Sequence, residues 1–226
     1  MCSVNALAIF PLSLYVIRYM LHVSIPILYE DKDLLVINKP AGLVVHRDGK
    51  TEEPAVTDWA LEKYPEVKGV GEPTKLSDGS MIDRPGIVHR LDRETSGALL
   101  IVKNHNAFLF LKKQYQEREM EKVYRAFVDG EGKEDSGILD RPISRSKNDF
   151  RKWTAERGGR GEERQAVTEY TVLARYDGIS FVEAKPKTGR THQIRVHLKA
   201  ISHPVVCDTL YAPNRPSALG FERLAL

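Results

Sequence analysis

Cysteine is almost absent from this sequence. Cys2 and Cys207 are the only two among 226 residues, which excludes a disulfide framework and any zinc site built from cysteines. Seven histidines are present without the spacing of metal ligands, since His192 and His197 lie five residues apart and project from different sides of a helix. We therefore expect no metal ion.

A long uninterrupted apolar run is also missing. Residues 6–23 are mostly apolar, but Pro11, Arg18 and His22 interrupt them, so the segment is marginal for a membrane span of about 20 apolar residues. It lacks the basic start and clear cleavage site of a signal peptide. We expect an apolar N-terminal extension over residues 1–24 and one domain over residues 25–226. A membrane or export segment, or an integral part of the fold, are the open alternatives.

The chain as a whole has no large excess of positive or negative charge, but one segment is clearly basic. The formal net charge is +3, whereas residues 141–164 contain eight Lys or Arg and four Asp or Glu, which gives +4 there and −1 for the remainder. A basic patch on a near-neutral body is typical of a polyanion-binding surface, and a solvated loop is the alternative. Within this segment Lys152 and Trp153 combine a cation with an aromatic ring.

What the sequence does contain is enough apolar residues for a core, 42% of the chain. Apolar and alternating runs predict strands over residues 25–29, 34–38, 97–102, 122–128, 137–143, 166–176 and 179–185. Helical spacing predicts helices over residues 54–64, 104–118 and 191–201, and residues 69–85 read as a loop. Asp177-Gly178 marks a hairpin. Hairpin-connected strands with few helices predict an α+β fold with a central, mixed but mostly antiparallel sheet and flanking helices.

The segment from His89 to Arg93 places one carboxylate, Asp92, between two arginines in a loop before a buried strand. A carboxylate with cationic neighbours stays ionised and can act as a nucleophile or an electrostatic partner. Loops on a rigid sheet often carry catalytic groups. Asp92 is thus the candidate catalytic residue, because Asp83 and Glu94 lack a cation on both sides. The alternative is a surface turn in which these charges merely pair with one another.

A second arginine-rich segment runs from Thr188 to His197. Arg195 follows the apolar Ile194 on the predicted helix, so it can border the core while its guanidinium reaches a cleft and pairs with Asp92. Arg190 lies at the start of this helix, where the dipole disfavours a cation unless a phosphate docks on free N–H groups. A simple exposed arginine is the alternative.

Aromatic side chains offer stacking surfaces beside these charges. Tyr124 alternates with Ala126 and Val128 on one strand face, the usual pattern of a core residue. Its ring also suits stacking on a base, worth about 1–3 kcal/mol. Trp153 is a second candidate, although a hairpin surface is its default interpretation.

Together these segments resemble the RluA-type RNA pseudouridine synthases from about Ile25 to Tyr211. Four motifs stand in the family's order: Leu34 to Gly42 resembles the first motif, Pro85 to Gly97 the catalytic motif, Lys122 to Ala126 the tyrosine motif, and Thr188 to Leu198 with His203-Pro204 and Asp208 the last. The family's fold, a central and mainly antiparallel sheet with flanking helices, agrees with the element pattern above.

The resemblance implies roles for individual residues. Asp92 is the essential aspartate, Tyr124 packs on the target uracil and assists proton removal, and Arg195 holds Asp92 by an ion pair. Arg90 enters the RNA stack where the target nucleotide has left. The further candidates for RNA contact are His89, Arg190, Thr191, His192, Lys152 and Trp153.

The implied reaction isomerises uridine to pseudouridine in structured ribosomal or transfer RNA. The base is detached from ribose, turned and rejoined through carbon, so no cofactor, metal or energy source is required. We expect a monomeric cytoplasmic enzyme with no obligate protein partner.

The sequence departs from the family pattern at both ends. Only residues 1–24 stand where the family often carries an RNA-binding module, and the family's usual closing strands are missing, which predicts an exposed sheet edge.

A catalytically impaired RNA-binding protein is therefore one alternative function. A hydrolase of nucleosides or sugars is another, although it needs two carboxylates about 5–10 Å apart. A membrane-anchored protein using residues 6–23 is the third.

Overall fold

The computed structural model describes residues 24–49, 51–75, 79–215 and 220–226. Its helices are α1 (Val56–Lys63), α2 (His105–Glu117) and α3 (Gln193–Ala200), with a 3₁₀ helix at Pro65–Val67. Its strands are β1 (Ile27–Glu30), β2 (Leu34–Lys39), β3 (Thr74–Lys75), β4 (Met81–Ile82), β5 (Gly97–Val102), β6 (Tyr124–Asp129), β7 (Ser136–Asp140), β8 (Ile143–Arg145), β9 (Trp153–Thr154), β10 (Arg160–Arg164), β11 (Val167–Tyr176) and β12 (Ile179–Pro186). The predicted α+β class is confirmed, and all pairs between these strands are antiparallel.

Two main sheets carry separate hydrophobic cores. The order β1-β2-β5 forms the first sheet, whose core includes α1, and the order β6-β12-β11-β7 forms the second, whose core includes α3. Small sheets of order β10-β8-β9 and β3-β4 stand apart from them. Tyr124 at the start of β6 packs against both large cores, so it lies where the two halves of the molecule meet.

Local sequence signals explain most element boundaries. Asn104 caps α2 as predicted, because its side-chain oxygen accepts the Ala107 N–H at 3.0 Å. The predicted strand over residues 137–143 was wrong in extent, since it divides into β7 and β8 around Pro142, which has no N–H to continue a ladder. The predicted loop over residues 69–85 contains β3 and β4, whose two residues each are too few to show a period.

The outer edge of β6 is covered by later parts of the chain. Val206 N–H donates to the Phe127 carbonyl at 2.8 Å, and Phe127 N–H donates to the Ala225 carbonyl at 3.0 Å. Asp129 N–H donates to the carbonyl of Pro204 at 2.9 Å. The exposed edge expected from the sequence is therefore not found at this strand.

The expectations for the N-terminal extension fall outside the described residues, except at residue 24. Across the ranges that the structure describes, no helix has the length and apolar character needed to cross a membrane.

Candidate active site

A cleft of about 860 Å³ lies between the loop before β5, the start of β6 and the N-terminal end of α3. This volume lies in the range of small-molecule binding sites. Eight of the ten predicted site residues line it: His89, Arg90, Asp92, Tyr124, Arg190, Thr191, His192 and Arg195. The structure therefore brings together residues that are more than 100 positions apart in sequence.

The loop that carries Asp92 is anchored on both sides of the carboxylate. Before it, the N–H of Leu100 in β5 donates to His89 Nε2 at 2.9 Å. After it, the carbonyl of Arg93 accepts a hydrogen bond from Lys39 Nζ at 2.9 Å. The backbone around Asp92 is thus tied to two strands of the first sheet.

Lys39 is completely buried, which is unusual for a lysine. Its Nζ donates to the carbonyls of Pro40 at 2.8 Å, Leu43 at 2.7 Å and Arg93 at 2.9 Å. Burial lowers the pKa of Lys39 to about 8. We did not select this residue from the sequence, because a lysine before proline looks like the end of a hairpin. It holds the loop after β2 against the loop of Asp92.

We predict that Lys39→Met lowers the free energy of unfolding by about 3 kcal/mol, because buried carbonyls lose their donor. Urea-induced unfolding measures the change. The matched control is Lys112→Met, which removes a surface pair with Glu72 and a cation–π contact with Phe108 at 5.9 Å, and it should cost less than about 1 kcal/mol. Equal stabilities of the two variants would contradict this role of Lys39.

His89 is held as a neutral ring. Its Nε2 accepts the Leu100 N–H, so the ring proton is on Nδ1, and the ring stacks on Tyr115 at a centroid distance of 5.2 Å. Burial, and to a lesser extent the charge of Lys122, lower the pKa of His89 to about 4. The predicted RNA contact of His89 stays a prediction, whereas its structural contact with β5 is clear.

This neutral histidine predicts a pH dependence of stability. Because the pKa of His89 in the folded chain is about 4, below the ordinary 6.5, the unfolded chain binds a proton first as the pH falls. The free energy of unfolding should therefore decrease from about pH 6.5 down to about pH 4. His89→Gln retains an acceptor for Leu100, and it should reduce the difference in stability between neutral and mildly acidic pH. The exposed His105→Gln is the control, and an equal reduction in both variants would refute the assignment.

Asp92 lies between two nitrogen donors. Its Oδ2 is 3.7 Å from Arg195 Nη1 and 3.9 Å from His192 Nε2. Both distances are too long for hydrogen bonds, and within the described ranges the Asp92 side chain makes none. A carboxylate beside a positive charge but without a tight partner is accessible to a reacting atom.

Arg195 has a second carboxylate partner that we did not predict. Its Nε and Nη2 donate to the two oxygens of Asp208 at 2.8 and 2.7 Å, in a buried bidentate pair. Asp208 Oδ1 also accepts the N–H groups of Leu210 and Tyr211 at 3.1 and 3.0 Å. The only sequence signal for Asp208 was its place in the last motif of the resemblance, which gives no partner.

The helix that carries Arg195 begins at Gln193, two residues later than predicted. His192 is its N-cap with a left-handed φ of 57°, and this backbone turns the ring toward the cleft. His192 Nδ1 lies 2.8 Å from the hydroxyl of Tyr211, which was not predicted as a site residue. Thr191 is exposed at the edge of the cleft.

Arg190 lines the cleft, but its local structure differs from the prediction. Its backbone N–H donates to Gln193 Oε1 at 3.0 Å, and its Nε donates to the carbonyl of Gln165 at 3.1 Å. The side chain of Gln193 therefore already occupies the backbone N–H of Arg190, and the docking of a phosphate at this helix start stays a prediction.

Arg90 is exposed at the mouth of the cleft. His46 Nδ1 lies 2.9 Å from the carbonyl of Arg47 and must donate to it, so His46 Nε2 is an acceptor. Arg90 Nη1 lies 3.4 Å from that Nε2. Burial lowers the pKa of His46 to about 4, which keeps the ring neutral and able to accept from Arg90.

Tyr124 forms a half-buried wall of the cleft. Burial, together with the charge of Asp92, raises the pKa of Tyr124 to about 12. The phenol is therefore uncharged at neutral pH and presents a flat ring with a polar tip.

Lys152 and Trp153 do not line the cleft. Trp153 lies in β9, with the Arg145 guanidinium 4.1 Å from its ring centroid. Its backbone N–H donates to the Tyr211 hydroxyl at 3.0 Å, and this hydroxyl lies 2.8 Å from His192 Nδ1. The sheet β10-β8-β9, which we call the small basic sheet, is thus connected through Tyr211 to a residue that lines the cleft. Over the ranges described above, no cluster of His, Cys, Asp or Glu is arranged to hold a metal ion.

Comparisons with known proteins identify the family of this chain. A sequence model of the family described as RNA pseudouridylate synthase matches residues 33–200. The chain is 40% identical over 192 residues to an uncharacterized RNA pseudouridine synthase of Aquifex aeolicus, covering 84% of this chain and 57% of that protein. It is 35% identical over 211 residues to the ribosomal large subunit pseudouridine synthase D of Zymomonas mobilis, covering 90% of this chain and 63% of that protein.

A solved structure shows the same fold. The human RNA pseudouridylate synthase domain containing 1 superposes with a TM-score of 0.68 at 27% identity, covering 89% of this chain and 75% of that one. The chain spans less than two thirds of the length of the bacterial relatives above.

Proposed function

The chain belongs to the RluA-type RNA pseudouridylate synthase family, and we propose that it isomerises specific uridines in RNA to pseudouridine. The observation that carries this proposal is the position of Asp92 in the cleft, 3.7 Å from Arg195 and 3.9 Å from His192. Tyr124, at the start of β6, gives the cleft a flat wall for a pyrimidine.

The geometry suits the chemistry of this isomerisation. The bond between ribose C1′ and uracil N1 breaks, the uracil turns, and a bond from C1′ to C5 forms, while C5 loses a proton and N1 gains one. Asp92, beside the guanidinium of Arg195, is the group that starts the reaction at the sugar or at the ring. Tyr124 keeps the detached uracil in place by stacking, worth about 1–3 kcal/mol.

The RNA enters from the side of Arg90. A uridine must leave its stack to reach Asp92, which costs a few kcal/mol and least in a loop or bulge. The exposed guanidinium of Arg90 at the mouth fills the space that the everted nucleotide leaves. Every residue of β10 is exposed and the strand includes Arg160 and Arg164, so the small basic sheet offers phosphate contacts beside the cleft.

We propose ribosomal RNA as the substrate. The support is the name of the Zymomonas mobilis relative, a ribosomal large subunit pseudouridine synthase. Such RNA places the enzyme in the cytoplasm. Transfer RNA is the competing substrate, and the following experiment separates the two.

The test uses unmodified large-subunit ribosomal RNA and transfer RNA transcripts that carry tritium at uracil C5. Formation of the C1′–C5 bond releases this tritium, so the chain should release it from ribosomal RNA and leave pseudouridine at defined positions. Release from transfer RNA alone would overturn the assignment of the substrate.

The same assay distinguishes the alternative functions. Tight, salt-sensitive RNA binding without tritium release would indicate a catalytically impaired RNA-binding protein. Accumulation of free uracil would indicate a hydrolase. Either result would refute the proposed isomerisation.

A further inference from the structure

A chain of hydrogen-bonding groups leads from the small basic sheet to Asp92. The N–H of Trp153 donates to the Tyr211 hydroxyl at 3.0 Å, and this hydroxyl lies 2.8 Å from His192 Nδ1. The opposite ring nitrogen, His192 Nε2, lies 3.9 Å from Asp92 Oδ2. The rings of His192 and Tyr211 meet edge to face at 5.5 Å, so the contact is packed as well as polar.

The number of donors determines which nitrogen of His192 carries the proton. A phenol has one hydrogen, and the Tyr211 oxygen already accepts from the N–H of Trp153. If His192 Nδ1 also donated to this oxygen, the phenol hydrogen would have no acceptor among the described neighbours. The arrangement is satisfied when Tyr211 donates to Nδ1, which places the ring proton on Nε2 and directs it at Asp92.

We propose that Tyr211 is a positioning residue of the isomerisation, which holds His192 in the neutral tautomer whose Nε2–H faces the Asp92 carboxylate. This inference rests on the function proposed above. Asp92 Oδ2 then lies between a charged donor, Arg195, and an uncharged one, His192. A second cation at this distance would stabilise the negative charge of the carboxylate further and reduce its reactivity toward the substrate.

The groups around His192 support a neutral ring. Burial lowers the pKa of His192, as do the nearby charges of Arg195 and Arg90, while the carboxylates of Asp92 and Asp208 act in the opposite direction. Burial also raises the pKa of Tyr211 to about 12, so the phenol keeps its proton throughout the neutral range. Tyr211 therefore remains a donor to Nδ1 while these opposing charges surround the ring.

Asp208 connects Tyr211 to Arg195. Its Oδ1 accepts the backbone N–H of Tyr211 at 3.0 Å and also the guanidinium of Arg195 at 2.7 Å. The guanidinium of Arg195 in turn lies 5.0 Å from the ring centroid of Tyr211. The loop from Asp208 to Tyr211 therefore holds both donors beside Asp92: Asp208 binds Arg195, and Tyr211 binds His192.

The test is the pH dependence of pseudouridine formation by Tyr211→Phe. Without the phenol, Nδ1 is free to bind a proton, so the pKa of His192 rises and the imidazolium forms at a higher pH. We expect kcat to fall about tenfold, as for the loss of one hydrogen bond that acts on the reacting group, with KM for RNA unchanged. The acidic limb of the pH profile should move to higher pH by about one unit.

Two further variants separate positioning from simple packing. His192→Asn has no titrating ring, so adding Tyr211→Phe to it should leave the pH profile where it was. Tyr170→Phe removes a hydroxyl from a half-buried tyrosine of β11 outside the cleft, and it should behave like the original chain. A pH profile of Tyr211→Phe that superimposes on the original would overturn the proposal.

A measurement on the unaltered chain does not depend on activity or on the folding of a variant. Nitrogen-15 NMR of the histidine rings should show His192 with an unprotonated Nδ1 and a protonated Nε2 at neutral pH. The opposite tautomer would overturn the proposal. If the unaltered chain forms no pseudouridine on either RNA, the proposed function fails, whereas the tautomer of His192 is still decided by the spectrum.

Discussion

Asp92→Asn is expected to abolish pseudouridine formation, with kcat/KM lower by at least about 10³-fold. The substitution keeps the shape of the side chain and removes its charge, which is the property that the chemistry needs. Among the described residues, no polar contact of the Asp92 carboxylate is closer than the 3.7 Å to Arg195, so folding and RNA affinity should survive. Tritium release from C5-labelled RNA measures the reaction, and RNA binding is measured on the same preparation.

The control for this variant is Asp83→Asn in the same part of the chain. Asp83 is exposed and does not line the cleft, so its loss should leave turnover unchanged. Turnover by Asp92→Asn at the rate of Asp83→Asn would remove the basis of the proposed mechanism.

Asp208→Asn is expected to have the largest effect on stability. It breaks a buried bidentate pair and leaves the guanidinium of Arg195, only 5% exposed, without its short partner. Removing one member of such a pair costs about 3–5 kcal/mol, because the remaining charge stays buried. Thermal or urea unfolding measures the loss. Turnover should also fall at least about tenfold, since Arg195 is no longer held beside Asp92.

Asp135→Asn is the matched control, because it removes the same kind of pair from the surface. Asp135 lies 2.7 Å from Arg175, but its side chain is 85% exposed, so the loss should be below about 1 kcal/mol. Equal losses in the two variants would show that the buried pair is not what stabilises this region.

Elements with a local signal were predicted well. The hairpin at Asp177-Gly178 joins β11 and β12 as expected, because glycine there adopts the positive φ of 72° that the turn requires. The Asn104 cap and the buried strand β5 follow from side-chain chemistry and apolar runs within a few residues. Pro142 is also a local signal, because a residue without an N–H ends the ladder between β7 and β8.

Lys39 and Tyr211 were missed because each reaches a partner that is distant in sequence. Lys39 holds the carbonyl of Arg93, 54 positions away, and no sequence period relates a lysine to a backbone oxygen. Tyr211 and Trp153 meet across 58 positions through a hydroxyl and a backbone N–H. Such contacts depend on where loops lie relative to one another in the folded chain. The spacing of residues along the sequence does not specify this.

The sequence alone determined the α+β class and the family resemblance, and it pointed to Asp92 as the candidate catalytic residue, because these depend on local patterns and on residues that stand together in motifs. Only the tertiary structure decided that Arg195 is shared between Asp92 and Asp208, and that Tyr211 reaches His192. The physical reason is that hydrogen bonds and ion pairs act over about 3–4 Å in space, whatever the separation along the chain.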